Sequence, residues 1–169
     1  MAAISNIIEK MIVSSDGNQH DITHFMKVWG YAKVIGELEQ LDEHTQLLLE
    51  VAAVTHDIAC PLCRETYGNT NGKLQEQEGA VLVADFLKDT GLTQQDINRV
   101  AFLVGHHHTY TSIDGPDYQI LIEADYLVNA EENHDSAEKI QSALETIFRT
   151  ESGIRLLKAM YARHPAGLN

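Results

Sequence analysis

Three stretches of this sequence carry side chains able to hold a cation together: His24, the adjacent pair His56-Asp57, and Asp125. Each falls at or near an apolar helical face. The pair closes a run from Leu47 to Val54 that is apolar on nearly every side and so belongs in the middle of a helical bundle. An imidazole and a carboxylate buried side by side are costly unless something compensates, and a divalent cation compensates both. Histidine nitrogen with carboxylate oxygen suits manganese, iron, zinc, nickel or cobalt and leaves coordination positions open for water. Two polar residues at a helix end can also serve only as a cap, with Asp57 solvated and His56 bonded to a carbonyl. His24 and Asp125 tip the reading toward the cation. His24 steps by four and three with Val28, Tyr31, Ile35 and Leu38, and Asp125 shares a face with Leu121, Ala124 and Val128, where an aspartate demands a partner.

Further reactive residues lie close by in the chain. His106, His107 and His108 are consecutive. The apolar face of Ile97, Val100, Ala101 and Val104 continues onto His107 and His108, so His107 is the first choice to share a pocket with His56. His106 falls on a neighbouring stripe beside Phe102 and Leu103. The alternative is that all three line the surface. Arg64 and Lys73 are the cations nearest the His-Asp pair in sequence and the candidates for holding a phosphate, or else plain surface charges. Cys60 and Cys63 are the only cysteines; without a second pair they make no structural zinc site, and they read as reduced thiols in a loop.

The order His, His-Asp, Asp on separate helices, with Gly79-Ala80 and Gly105-His106-His107-His108 between, resembles the HD superfamily of metal-dependent phosphohydrolases over roughly Asp21 to Asn133. The resemblance implies a divalent transition metal ion held by His24, His56, Asp57 and Asp125. It implies hydrolysis of a small phosphoester, a nucleotide or related phosphate, by attack of metal-activated water. In that scheme Asp57, His107 and Lys73 are catalytic, His107 protonating the departing alkoxide, while Arg64, Lys73 and His108 bind substrate. Two departures stand out. Relatives often carry Lys or Glu three residues after the motif aspartate, where this chain has Cys60, leaving Lys73 or Glu65 to substitute. Relatives with two metals often have a further histidine before the Gly-Ala pair, where this chain has Gln75, so one ion rather than two is expected. His106 and His107, with Glu76 and Glu78, keep a second ion open.

The elements that must position these groups read as helices throughout, since no segment alternates like a strand. The expectation is an all-α bundle of six to eight helices. A first helix covers residues 2–14, a second starts at an Asp21 N-cap, and the central one opens at Asp42 and ends at the His-Asp pair. Residues 59–73 read as mostly loop. Helices follow from Leu74, from a capping box of Thr93 with Asp96, and from Asp117. Two packing helices without chemistry close the chain over residues 135–164, the first opening on Asp135 and Glu138 and the second fading at His164-Pro165-Ala166-Gly167.

At 169 residues the chain fits one domain, residues 1–169, that can bury a core without a structural metal. Net charge −13 and a pI near 4.9 argue against duplex nucleic acid and for a small phosphorylated partner drawn to a metal. No apolar run reaches the roughly 20 residues of a membrane span, and no leader is evident, so a cytoplasmic protein is expected. The rival classes are a non-catalytic metal-containing module that binds a nucleotide or partner without turning it over, and a metal-free helical interaction protein.

Overall fold

Every residue from Leu48 to Thr55 is buried, and this rod is the axis of the structure. It is the greater part of α3 (Glu43–Thr55), which opens where the Asp42 side chain accepts from the His44 and Thr45 amides. Around it pack α1 (Ile4–Ser14), α2 (Gln19–Leu38), α6 (Gln94–Val104) and α7 (Pro116–Glu132). The computed structural model describes residues 4–161, and among these there are nine α-helices and no strand. The others are α4 (Cys60–Tyr67), α5 (Gly72–Phe86), α8 (Ala137–Thr146) and α9 (Glu151–Met160). The expected all-α bundle is present, and the element added to the expected six to eight is α4, in the stretch read as loop. Pro61 sits in its first turn, where no amide is needed, and Gly68 ends it with φ +69°.

The second helix begins a turn earlier than Asp21. Asn18 is its cap, accepting from the Asp21 amide, which moves His24 into the second turn. Leu38, placed on the inward stripe by spacing, is exposed where α2 runs out. The Thr93–Asp96 capping box is formed as expected. Asp117 does not cap α7; Gly115 precedes it, and the Asp117 carboxylate instead receives the Arg99 guanidinium. Ser136, rather than Asp135, caps α8. Residues 164–167, where the last helix was expected to fade, lie outside the described residues.

α2 and α7 pack against each other and against α3, while α5 covers α6. α7 is buried from Asp117 to Asp125 without a break, including Glu123, whose carboxylate accepts from the Gln119 side chain and from the Arg149 and Thr150 amides ahead of α9. Read through the turn at residues 56–59, Glu43–Tyr67 is apolar and long enough to pass for a membrane span by length and composition, which the sequence reading did not register. Within it, 67% of the most apolar 18-residue stretch is buried inside the bundle, as the core helix of a packed protein would be.

Candidate metal centre

The local fold explains how two adjacent residues reach one point. Neighbouring helical side chains diverge by about 100°, but α3 stops at Thr55. The next amides make tighter bonds, Ile58 N–H to the Thr55 carbonyl at 3.0 Å and Cys60 N–H to the Asp57 carbonyl at 2.9 Å. This turn swings Asp57 round beside His56. α5 crosses closely behind it at Gly79, where an added Cβ would lie 2.9 Å from Val104 and 3.9 Å from the His56 carbonyl oxygen.

Among the four side chains singled out by spacing, the ligand atoms of His24, His56 and Asp57 lie within 4.8 Å of one another, and Asp125 approaches both imidazoles. His24 Nε2 lies 3.2 Å from His56 Nε2, 3.3 Å from Asp57 Oδ2 and 3.3 Å from Asp125 Oδ1. His56 Nε2 lies 3.5 Å from Asp57 Oδ2 and 3.4 Å from Asp125 Oδ1. Donors about 2.1 Å from a common ion stand roughly 3.0–3.4 Å apart, so this spacing suits a shared cation. His24, His56 and Asp125 are buried, and Asp125 Oδ1 has no hydrogen-bond partner among the described residues.

The outer nitrogens say which way each ring is set. His24 Nδ1 donates to Glu132 Oε2 at 2.9 Å, and His56 Nδ1 to the Ala53 carbonyl at 2.8 Å. His107 Nδ1 donates to the Val104 carbonyl at 2.7 Å. With the proton on Nδ1, the Nε2 lone pair of each ring faces inward, the orientation of a metal-ligating histidine with its supporting partner. His107 Nε2, fully buried and without a hydrogen bond among the described residues, lies 3.6 Å from Asp57 Oδ1.

The cluster's electrostatics favour positive charge among its carboxylates. Burial would lower the His24 pKa, but Asp125, Asp57 and Glu132 outweigh it and raise it to about 9. His107 is also raised, the Asp57 carboxylate overcoming its burial. Burial acts to raise Asp57 and Asp125, yet the facing imidazoles hold both below the usual carboxylate range. His108 behaves differently: burial and the neighbouring His107 lower it to about 4, so it is neutral near pH 7.

The remaining candidates separate. Arg64 lines the cavity of about 210 Å³ above the cluster and is paired with Asp21. Lys73 lines a different depression, between α5 and α6, and does not line that cavity. Nearness in sequence misled here, because α5 turns its first exposed side chain away from the His-Asp turn. His106 also faces that second depression, stacked on Phe102 with ring centroids 4.2 Å apart and its Nδ1 on the Phe102 carbonyl. It groups with neither His107 nor Asp57. His108 stands with His107 and Asp57 instead, their ligand atoms within 4.8 Å of one another. Its Nε2 is 3.0 Å from Gln75 Oε1, while Gln75 Nε2 donates to the Thr70 carbonyl at 2.6 Å. Cys60 and Cys63 are free, buried thiols in α4, and burial raises the pKa of each; Cys60 lines the cavity.

Sequence reasoning missed Glu132, the acceptor for His24, and the cavity residues His20 and Asn129. Helical arithmetic held the signal: His20 is four before His24, and Asn129 and Glu132 are four and seven after Asp125.

No curated protein matches the chain. Its fold is similar to a crystal structure of a predicted HD superfamily hydrolase from an uncultured Thermotogales bacterium, with TM-score 0.66 and 25% identity, over 94% of this chain and 83% of that one. The family model of the HD domain matches residues 21–144, a stretch containing His24, His56, Asp57, His107, His108 and Asp125. On that match, the chain belongs to the HD domain family.

Proposed function

We propose that this protein is a metal-dependent phosphohydrolase acting on a small phosphoester, a nucleotide or related phosphate, with the cation held by His24, His56, Asp57 and Asp125. The carrying observation is the inward set of Nε2 atoms on His24 and His56, with Asp57 Oδ2 and the unpartnered Asp125 Oδ1 within 3.2–3.5 Å. When bound, a divalent transition metal ion supplies an acidified water and polarises a phosphoryl oxygen. The chain's own groups do the rest. Arg64, oriented by Asp21, is the cation that lines the cavity, and its planar fork suits phosphate oxygens. His107, its Nδ1–H fixed on Val104, takes up a second proton at Nε2, where the Asp57 carboxylate favours the charged ring, and in that form is the group that gives the proton to the departing alkoxide. His108, neutral near pH 7, acts through Gln75, whose Oε1 it holds by an Nε2–H bond at 3.0 Å at the cavity wall. A cavity of about 210 Å³ is below the roughly 300–1,000 Å³ of ordinary ligand pockets, so the substrate is small or only its reacting end enters.

A second reading uses two ions. Asp57 turns Oδ2 toward His24 and His56 but Oδ1 toward His107, and it groups separately with His107 and His108. Metal content per chain distinguishes the two. The function is tested by a phosphoester panel on chelated protein with single divalent ions added back. Phosphate release that requires the ion and is lost in Asp57→Ala, with helical content retained, supports it. A folded, fully loaded protein that binds phosphoesters and releases no phosphate is instead a binding module.

A further inference from the structure

The cavity above the cluster is walled by polar groups whose commitments differ. Gln75 is satisfied at both ends, Glu132 is engaged by His24, and Arg64 is paired with Asp21. Asn129 is not committed: its half-buried side chain lines the cavity and has no hydrogen-bond partner among the described residues. It lies four residues, about one turn, beyond Asp125 on α7, so its amide stands on the same face, directly outward of the cluster. The Thr70 hydroxyl and the Asn133 amide, also lining the cavity, are likewise uncommitted among the described residues.

Amides and hydroxyls both donate and accept, as an alcohol hydroxyl requires, whereas a phosphate oxygen only accepts. Among the described residues the lining holds no Phe, Tyr, Trp, Leu, Ile, Val or Met, so it offers no aliphatic wall for a lipid chain, and its rings are the imidazoles of His24, turned to the cluster, and of exposed His20. We infer that Asn129 is a specificity-determining residue that reads a hydroxyl on the alcohol side of the phosphoester, and that the substrates are phosphates of small polyhydroxylated alcohols, the sugar phosphates. The inference rests on the proposed phosphoester site and narrows it to a substrate class.

The test is calorimetric titration of the metal-loaded protein with ribose 5-phosphate, phenyl phosphate and inorganic phosphate, in the wild type and in Asn129→Ala and Asn129→Asp. Ribose 5-phosphate is expected to bind tightest. Losing one such hydrogen bond is worth roughly three- to tenfold, so Asn129→Ala should weaken ribose 5-phosphate by about that factor and the other two ligands much less. Asn129→Asp, which keeps an acceptor but adds negative charge, should weaken all three. Equal affinity of ribose 5-phosphate and phenyl phosphate in the wild type, or an equal loss for all ligands in Asn129→Ala, overturns the inference. Binding without turnover leaves this inference standing and removes the hydrolase reading; turnover without the Asn129 discrimination does the reverse.

Discussion

Glu132 offers the sharpest probe of the metal centre, because it acts on the ligand set through a single hydrogen bond. Its Oε2 accepts from His24 Nδ1 at 2.9 Å, fixing the proton on that nitrogen and the lone pair on Nε2. The corresponding bonds of His56 and His107 go to backbone carbonyls and are beyond the reach of substitution. Loss of such a supporting partner typically costs roughly 10–100-fold in metal affinity. At about 1.4 kcal/mol per tenfold, that is about 1.4–2.8 kcal/mol. Glu132→Ala should fall in this range. Glu132→Gln keeps an acceptor for Nδ1–H but loses the charge, and should fall between it and the wild type. Glu132 also approaches at 3.8 Å the partly exposed Lys27, whose closer partner is Glu131 at 2.8 Å, and Lys27→Met serves as the control. The assay is competition with a chelator of known affinity, with ¹⁵N spectra of the imidazoles reporting the His24 tautomer. If Glu132→Ala retained the ion within twofold of wild type while the His24 proton stayed on Nδ1, the argument from ring orientation would fail.

Two further outcomes concern the scaffold. A Cβ at Gly153 would lie 2.0 Å from Glu123 Oε2 and 2.7 Å from Thr150 Oγ1, so Gly153→Ala should destabilise by about 1–3 kcal/mol, as overpacking does, and lower Tm by roughly 2–10 °C. A Tm within one degree of wild type would refute that packing argument. Thr93→Ala should cost about 1 kcal/mol by opening the α6 capping box. The Thr93 hydroxyl is also the main reason Asp96 is held below the usual carboxylate range. A depressed carboxylate stabilises the fold above its unfolded value of about 3.9, and that stability is lost as pH falls through the folded value. The Tm gap between wild type and Thr93→Ala should therefore be full near pH 7 and shrink as pH falls below about 4; a gap independent of pH would contradict it.

What could be read from the sequence was whatever helical period expresses. His24, His56 and Asp125 announced themselves as polar residues on apolar stripes, and the caps at Asp42 and Thr93 stand where their side chains predicted. The misplaced elements share a cause, because each depended on a choice between equally plausible local signals. Asn18 and Asp21 both make good caps, and the structure uses the first. Pro61 can end a helix or begin one, and here it begins α4. Consecutive histidines point about 100° apart, so the stripe could favour His107 yet not foretell that His106 would stack on Phe102. Lys73 and Glu132 illustrate the larger limit: proximity along the chain chose the first, while packing of α2 against α7 brought the second, 108 residues away, to His24.

Glu123 has a bearing on where this protein can be cut. The family match stops at residue 144, but apart from the Gln119 side chain the groups that satisfy this buried carboxylate, the amides of Arg149 and Thr150 and the Thr150 hydroxyl, come after it. A fragment trimmed to that boundary would leave a negative charge inside α7, two residues from Asp125, with the Gln119 side chain as its one remaining partner among those named, and the Asp125 segment of the helix would lose its footing. The last two helices are therefore a foundation for the chemistry they never touch.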